Sequence, residues 1–256
     1  MPSFENLFQS EQDCINYLVH LRWGSGKFSC RTCAGKSGQL FSNRQHIRCT
    51  SCGQTMSITA GSIFHRRRLP LLKILRIFWD LAAEPPCSAC STAVRLQISY
   101  STAWEWMHKA RSLMSTFPAE NAMPVHVSRV ENIVFRRSLA SLNHQQLEPG
   151  NESALGGISV WAPAIQNRRA LEHTVAGATQ SISQTFHGIS RKYAQRYFDQ
   201  LRLSANDQAT KFQELVIAGL NGQPYGHREI LNYSCGDIIL LPIQTESTKG
   251  NAATTT

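Results

Sequence analysis

Cys30-Arg31-Thr32-Cys33 and, fifteen residues later, Cys49-Thr50-Ser51-Cys52 decide how this chain is read. Each Cys-x-x-Cys presents two thiolates to one side of a tight turn, and the segment between them is long enough for a short hairpin. Two such knuckles describe one tetrahedral metal site, with Cys30, Cys33, Cys49 and Cys52 as ligands of a structural Zn²⁺. Lys27, Arg31, Lys36, Arg44 and Arg48 crowd the site; they favour thiolate over thiol and leave a basic rim. The competing reading is two disulfides. Cysteines within one knuckle pair poorly, and nothing in the sequence points to export.

The chain has 256 residues, enough for a sizeable core and roughly one to three small domains. No apolar run is long enough to span a membrane. Met1-Pro2-Ser3-Phe4-Glu5 lacks the basic start and apolar core of an export signal. The expected location is therefore the cytoplasm, where the eight cysteines stay reduced or bind metal. The net charge of +9 is segregated. Residues 1–19 carry three acids and no Lys or Arg, residues 20–115 fourteen Lys/Arg against three acids, and residues 116–256 twelve against eleven. The excess sits on the cysteine segment and the residues directly after it. That block is also rich in Leu, Ile and Trp, so it folds, and the partner its charge fits is a phosphate backbone.

Apolar positions at Cys14, Ile15, Leu18, Val19 and Leu21 predict a short amphipathic helix over residues 8–21 leading into the ribbon, ended at the turn Trp23-Gly24-Ser25-Gly26. Residues 39–41, 46–48 and 54–58 read as short strands, and His46 as a surface residue because four cysteines close the site. Thr59-Ala60-Gly61-Ser62 reads as a connector, and Arg66-Arg67-Arg68 as a run that straddles a phosphate backbone or forms a solvated linker. Pro70 opens a helix that Pro85-Pro86 stops, with Lys73, Arg76 and Asp80 as a narrow solvent stripe on an otherwise apolar surface. Cys87-Ser88-Ala89-Cys90 has no further ligand nearby; Ser88 reads as the N-cap of a helix to Arg95 with Ala89, Cys90, Ala93 and Val94 inward. A second helix runs from Tyr100 to Met114 and buries Ala103, Met107, Ala110 and Met114. Two helices around a tight turn inside a basic block predict a helix-turn-helix. Ser101, Thr102, Glu105, Lys109 and Ser112 form its outward face, and Arg111 is placed for phosphate.

Leu21-Arg22-Trp23, the knuckles, Cys52-Gly53-Gln54, Thr59 to His65, Leu69-Pro70-Leu71 and Ser99 to Trp104 together resemble bacterial insertion-sequence transposases with an N-terminal zinc ribbon, relatives of the Merlin elements. The resemblance covers residues 14–114. It departs at Arg31, where a proline is usual, and at Ala34, where a glycine is usual. The resemblance implies an RNase H-like domain next, with two Asp and a third acid holding two divalent metals for strand transfer. Yet no aspartate lies between Asp80 and Asp199. Val127-Ser128-Arg129-Val130-Glu131-Asn132 is similar to the family's first-strand motif, with Val130 in the aspartate's place and Glu131 one residue away. Thr185 to Asp199 resembles the closing helix of the catalytic domain, read as Ser190-capped with Tyr193, Tyr197 and Leu201 on one face. A further helix is expected at 207–218. Gly156–Trp161 reads as an inner strand, followed by too short a segment for the remaining ligands. Glu148, Glu152 and Glu172 read as surface charges.

The expected fold is α+β: an N-terminal helix (1–24), zinc ribbon (25–62), helix-turn-helix domain (63–118), reduced remnant of an RNase H-like domain (119–243) and disordered tail (244–256). The expected function is a transposase-derived protein that binds double-stranded DNA at transposon ends without strand transfer. Arg66, Arg67, Arg68 and Arg111 serve phosphates, Ser101, Thr102, Glu105 and Lys109 serve bases, and no residue is catalytic. Two alternatives stay open. One is an active transposase using Mg²⁺ with Glu131, Asp199 and Asp207; the other is a protein-interaction partner of itself or of a full-length transposase. The resemblance implies a bacterial, nucleoid-associated protein.

Overall fold

The computed structural model describes residues 3–24, 28–83, 86–117, 125–127, 182, 184–186, 189–202, 207–235 and 238–240. The chain divides into two compact units. One comprises Met1–Leu113 with Asn206–Asn232, the other Met114–Ala205 with Tyr233–Thr256.

In the first unit a short helix, α1 (Phe4–Leu7), precedes α2 (Glu11–Trp23). Ser10 and Asp13 start α2 by a reciprocal capping box. The Ser10 hydroxyl accepts from the Asp13 amide at 3.3 Å, and the Asp13 carboxylate accepts from the Ser10 amide at 2.8 Å. The predicted apolar positions Cys14, Ile15, Leu18 and Val19 are all buried. Next come three strands, β1 (Gly38–Leu40), β2 (His46–Cys49) and β3 (Thr55–Ser57), in one antiparallel sheet with β2 central. Their inner row sets Leu40 opposite Ile47 and Ile47 opposite Met56. Trp23 and Phe28 close this small core. Arg22 ties α2 to the exit of the ribbon by donating to the carbonyls of Ile58 and Ala60, the latter at 2.6 Å. Burial, with Arg31 nearby, pulls the Arg22 pKa down to about 10.

Residues 58–64 are more than a connector. Ile58, Ser62, Ile63 and Phe64 are buried, and the Phe64 ring stacks on Trp106 and tilts onto Phe78. Helix α3 (Leu71–Ala82) is apolar on most sides, as its sequence requires. Its cap residue is Pro70, which has no side-chain acceptor, so the first amides of the helix need another partner. Glu11 supplies it from the start of α2: its carboxylate accepts from the amides of Leu71 (2.9 Å) and Leu72 (3.0 Å) and pairs with Arg67 at 3.2 Å. Asp80, expected on a solvent stripe, is buried between Arg76 (3.1 Å) and Arg95 (2.5 Å). Burial raises its pKa against the pull of the two arginines.

The helices expected at 88–114 are present as α4 (Ala89–Leu96) and α5 (Tyr100–Met114). Ser88 caps α4 by accepting from the Ser91 amide, and Gln97 ends it in the left-handed region at φ 52°. Val94 and Cys90, expected inward, are exposed, because Thr92 and Ala93 take the buried face of this two-turn helix.

The far end of the chain completes this unit. In the second unit a 3₁₀ turn (Arg191–Tyr193) leads into α6 (Ala194–Arg202). Then α7 (Gln208–Asn221), capped by Asp207, lies across α3 and α2 in the first unit. Phe212 of α7 meets Phe8 (5.9 Å), Tyr17 (5.8 Å) and Trp79 (5.2 Å), and the Ile63 amide donates to the Gly219 carbonyl. Helix α8 (His227–Asn232) comes last in this unit, with Ile230 buried. These residues were expected within the 119–243 domain. They join the N-terminal half because α3 is too apolar to be covered by the ribbon and α2 alone.

Within the second unit, β4 (Val125–Val127) pairs antiparallel with β5 (Ile238–Leu240), Val125 opposite Leu240. Tyr193 stacks on Tyr233 at 6.1 Å, and the Arg196 guanidinium lies 3.8 Å from the centre of the Tyr233 ring. Val130, Glu131, Glu148, Glu152, Glu172, the strand expected at 156–161 and the tail at 244–256 lie outside the described residues.

Candidate metal centre and nucleic-acid interface

The two knuckles are built alike. The Cys30 amide donates to the Gly35 carbonyl and the Ala34 amide to the Cys30 carbonyl, both at 2.9 Å. In the second knuckle the Cys49 amide donates to Gln54 at 2.9 Å and the Gly53 amide to Cys49 at 3.0 Å. The residue four after each leading cysteine is left-handed, Ala34 at φ 57° and Gly53 at φ 73°. Repeating that turn aims all four sulfurs at one point. Cys30 Sγ lies 3.6 Å from Cys52 Sγ, Cys33 Sγ lies 3.6 Å from Cys49 Sγ, and the four fall within 4.8 Å of one another.

These separations exclude disulfides, whose sulfurs sit about 2.05 Å apart. They fit zinc: Zn–S bonds of about 2.3 Å at the tetrahedral angle give edges of about 3.8 Å. Charge points the same way. The amides of Cys33 and Thr32 hold the Cys30 thiol down to about 6, and those of Cys52 and Ser51 lower Cys49. Although the Gly35 amide works the other way, the sulfurs of Cys52 and Cys49 push Cys33 up to about 12. Four thiolates this close require a cation, and a closed all-sulfur set is the donor chemistry of structural Zn²⁺. Among the described residues no other group of three or more His, Cys, Asp or Glu converges in this way, and Cys87 and Cys90 join no such group there.

From Cys14 to Trp79 the sequence contains no Asp or Glu. Two of its arginines are neutralised from outside, Arg67 by Glu11 and Arg76 by Glu5 and Asp80. Arg31, Lys36, Arg44, Arg48, Arg66 and Arg68 are exposed, and among the described residues none has an acidic partner. Arg31 lies against Gly61, where an added Cβ would fall 2.0 Å from its Nη1.

The expected DNA contacts divide into two groups. Arg66 and Arg68 point outward, and Ser101 and Thr102 open α5 with Tyr100 exposed beside them. Arg67 is held inward by Glu11. Glu105 is half-buried; its carboxylate pairs with Lys109 at 2.7 Å and lies 3.8 Å from His227 Nδ1 of α8. Lys109 is 9 % exposed, its ammonium also resting over the Trp106 ring, and Arg111 is 1 % exposed. Lys109 and Arg111, from which base and phosphate contacts were expected, are thus both buried, while Ser112 of the same turn is half-buried. Two acids of the alternative catalytic set, Asp199 and Asp207, have structural partners, and the third, Glu131, lies outside the described residues. Asp199 accepts from Ser115 Oγ (2.6 Å) and Gln195 Nε2 (2.9 Å), and Asp207 caps α7. Sequence reasoning missed Glu11 as the cap of α3, a role that depends on residues 60 positions apart meeting in space.

A family described as the transposase zinc-ribbon domain matches residues 9–55. The match spans α2, both knuckles and the first two strands. Residues 9–55 are therefore similar to a transposase zinc-ribbon domain, and their four-cysteine site is suited to structural Zn²⁺. No curated protein and no solved structure matches the chain. Among the described residues, no helix is long and apolar enough to cross a membrane.

Proposed function

We propose that this chain is a transposase-derived, zinc-dependent protein that binds double-stranded DNA at transposon ends in the bacterial cytoplasm and does not transfer strands. The observation that carries the reading is the acid-free stretch from Cys14 to Trp79, with six exposed cations that no carboxylate among the described residues neutralises. Such charge is an electrostatic footprint for phosphates. Arg66, Arg68 and the ribbon cations supply affinity. Helices α4 and α5 act as a helix-turn-helix, and because a recognition helix reads bases from its N-terminal residues, Ser101 and Thr102 are its readers. Glu105, engaged by Lys109, contributes to base contact only after that pair opens. The remainder of the chain acts as a reduced RNase H-like domain without a working two-metal centre, a reading supported by the structural partners of Asp199 and Asp207. Binding without cutting makes the protein a competitor of an active transposase for the same ends.

The test is zinc content and DNA binding of purified protein, wild type beside Cys49→Ser. One zinc per chain, with salt-sensitive duplex binding lost in the variant, supports the reading. Zinc without DNA binding moves the ribbon to a protein partner. Nicking of transposon-end DNA in Mg²⁺ or Mn²⁺ replaces the reading with an active transposase.

A further inference from the structure

Zinc and the core account for one face of the ribbon sheet and leave the other unexplained. Side chains alternate along a strand. The register that sets Leu40, Ile47 and Met56 inward therefore sets Gln39, Arg48 and Thr55 in a row on the outside, and all three are exposed. His46 and Ser57 extend this outer face by one pair. Phe41 comes after β1 on the same side, and its ring meets the His46 imidazole edge to face at 6.1 Å and 76°. Phe41 is 44 % exposed, the one large exposed hydrophobic side chain of the ribbon among the described residues. Arg44 stands in the hairpin turn beside it. That turn is ordered: the Arg44 amide donates to the Phe41 carbonyl at 2.8 Å, and the Gln45 amide to Asn43 Oδ1 at 3.1 Å.

A hairpin turn has no need of a half-bare aromatic ring, since the ribbon core is closed by Trp23, Phe28, Leu40, Ile47 and Met56. Its surroundings specify what fits it. The ring offers a π-face, Arg44 in the turn and Arg48 on the same sheet face carry exposed guanidinium groups with no acidic partner among the described residues, and Gln39 and Thr55 offer amide and hydroxyl groups. Aromatic platforms among cations, on an open sheet face, bind nucleic acid whose bases are unstacked. A duplex hides its base faces within the stack and presents only edges in its grooves. We propose that the outer face of the ribbon sheet binds a short segment of single-stranded DNA, with one base stacked on Phe41 and the flanking phosphates on Arg44 and Arg48. The proposal rests on the reading of the zinc-centred unit as a DNA-binding unit and adds a second substrate form to it.

The experiment is fluorescence anisotropy of full-length, zinc-loaded protein with an oligothymidylate and with a duplex of unrelated sequence. Wild type is compared with Phe41→Ala, Phe41→Leu and Phe41→Trp. Phe41→Leu keeps apolar bulk and removes the π-face, so it separates stacking from packing. The expected result is oligothymidylate affinity lowered roughly five- to a hundredfold in Phe41→Ala and Phe41→Leu, the loss of one base stack. Phe41→Trp restores binding, while duplex affinity and zinc content stay at wild-type values. Wild-type oligothymidylate affinity in Phe41→Leu overturns the proposal. Wild type binding the duplex but not the oligothymidylate overturns it too, and leaves the duplex-binding reading standing. Binding to neither removes both.

Discussion

At the scale of single residues, the knuckles contain a natural comparison. Ala34 and Gly53 occupy equivalent positions and both are left-handed, but only glycine adopts that conformation without a steric cost. Ala34→Gly is expected to raise the stability of the zinc-loaded protein by about 0.5–1 kcal/mol, and Gly53→Ala to lower it by about 1–2 kcal/mol. A Cβ at Gly53 meets nothing nearer than Arg48 at 3.7 Å, so the second effect is one of backbone conformation and not of crowding. Denaturant unfolding of both variants at saturating zinc checks the pair; a loss of stability in Ala34→Gly would contradict a shared turn. The sequence marks Ala34 only as a departure from the glycine usual in the family it resembles; the left-handed backbone that makes the departure costly is read from the structure. Glu11 was not visible, since nothing local to residue 11 announces a helix that starts at residue 71. Glu11→Ala is expected to cost about 1–2 kcal/mol by uncapping α3, and Glu11→Gln less, because the amide oxygen still accepts one bond. Unfolding midpoints of the two variants measure this directly.

Among elements, the ones whose boundaries are set by local signals are where the sequence put them. Helices α4 and α5 and the three ribbon strands fall within a residue or two of their expected ends, set by Ser88 and the cysteine turns, whereas α2, read over residues 8–21, starts three residues later at Glu11, where Ser10 caps it. The partner of α3 was not legible. The sequence shows that α3 must be covered on most sides but does not say by what, and the cover, α7, comes from more than 120 residues further on. The burial of Lys109 and Arg111 belongs to the same limitation: a helix read as amphipathic from its own residues can be packed on its polar side by segments far away in sequence. Phe212 lies at the centre of the α7 contact, among Phe8, Tyr17 and Trp79. Phe212→Ala is expected to destabilise the first unit by about 3–5 kcal/mol, the cost of a large cavity. A chain ending at residue 205 is expected to lose cooperative unfolding of α2 and α3 and to retain one zinc, because the ribbon has its own small core. Calorimetry with zinc analysis separates the two effects. A truncated chain that melts like the whole protein would show that α7 is dispensable.

For the whole molecule, charge is the property that organises function. The +9 of the chain is concentrated by an acid-free stretch, and folding then sorts its arginines into two kinds. Arg67 is consumed by the fold through Glu11, and Arg76 by Glu5 and Asp80, while Arg66 and Arg68, on either side of Arg67, remain exposed. The sequence could not make this distinction within Arg66-Arg67-Arg68, since three consecutive identical residues differ only in where the backbone aims them. Arg66 is itself left-handed at φ 53°, which turns the run so that its middle member faces the protein. The sorting has a measurable signature. Each phosphate neutralised on a duplex contributes about 0.9 to the slope of log affinity against log salt concentration. The double variant Arg66→Ala/Arg68→Ala is therefore expected to flatten that slope by roughly 1.8 with little change in thermal stability. Arg67→Ala is expected to do the reverse: it leaves the slope unchanged and lowers the melting temperature, because it removes the charged one of the three partners of Glu11 at the α3 terminus. Salt titrations of duplex binding and melting curves for both variants decide the matter. A flattened slope in Arg67→Ala would mean that Glu11 releases this arginine when DNA binds, making the α3 terminus part of the interface.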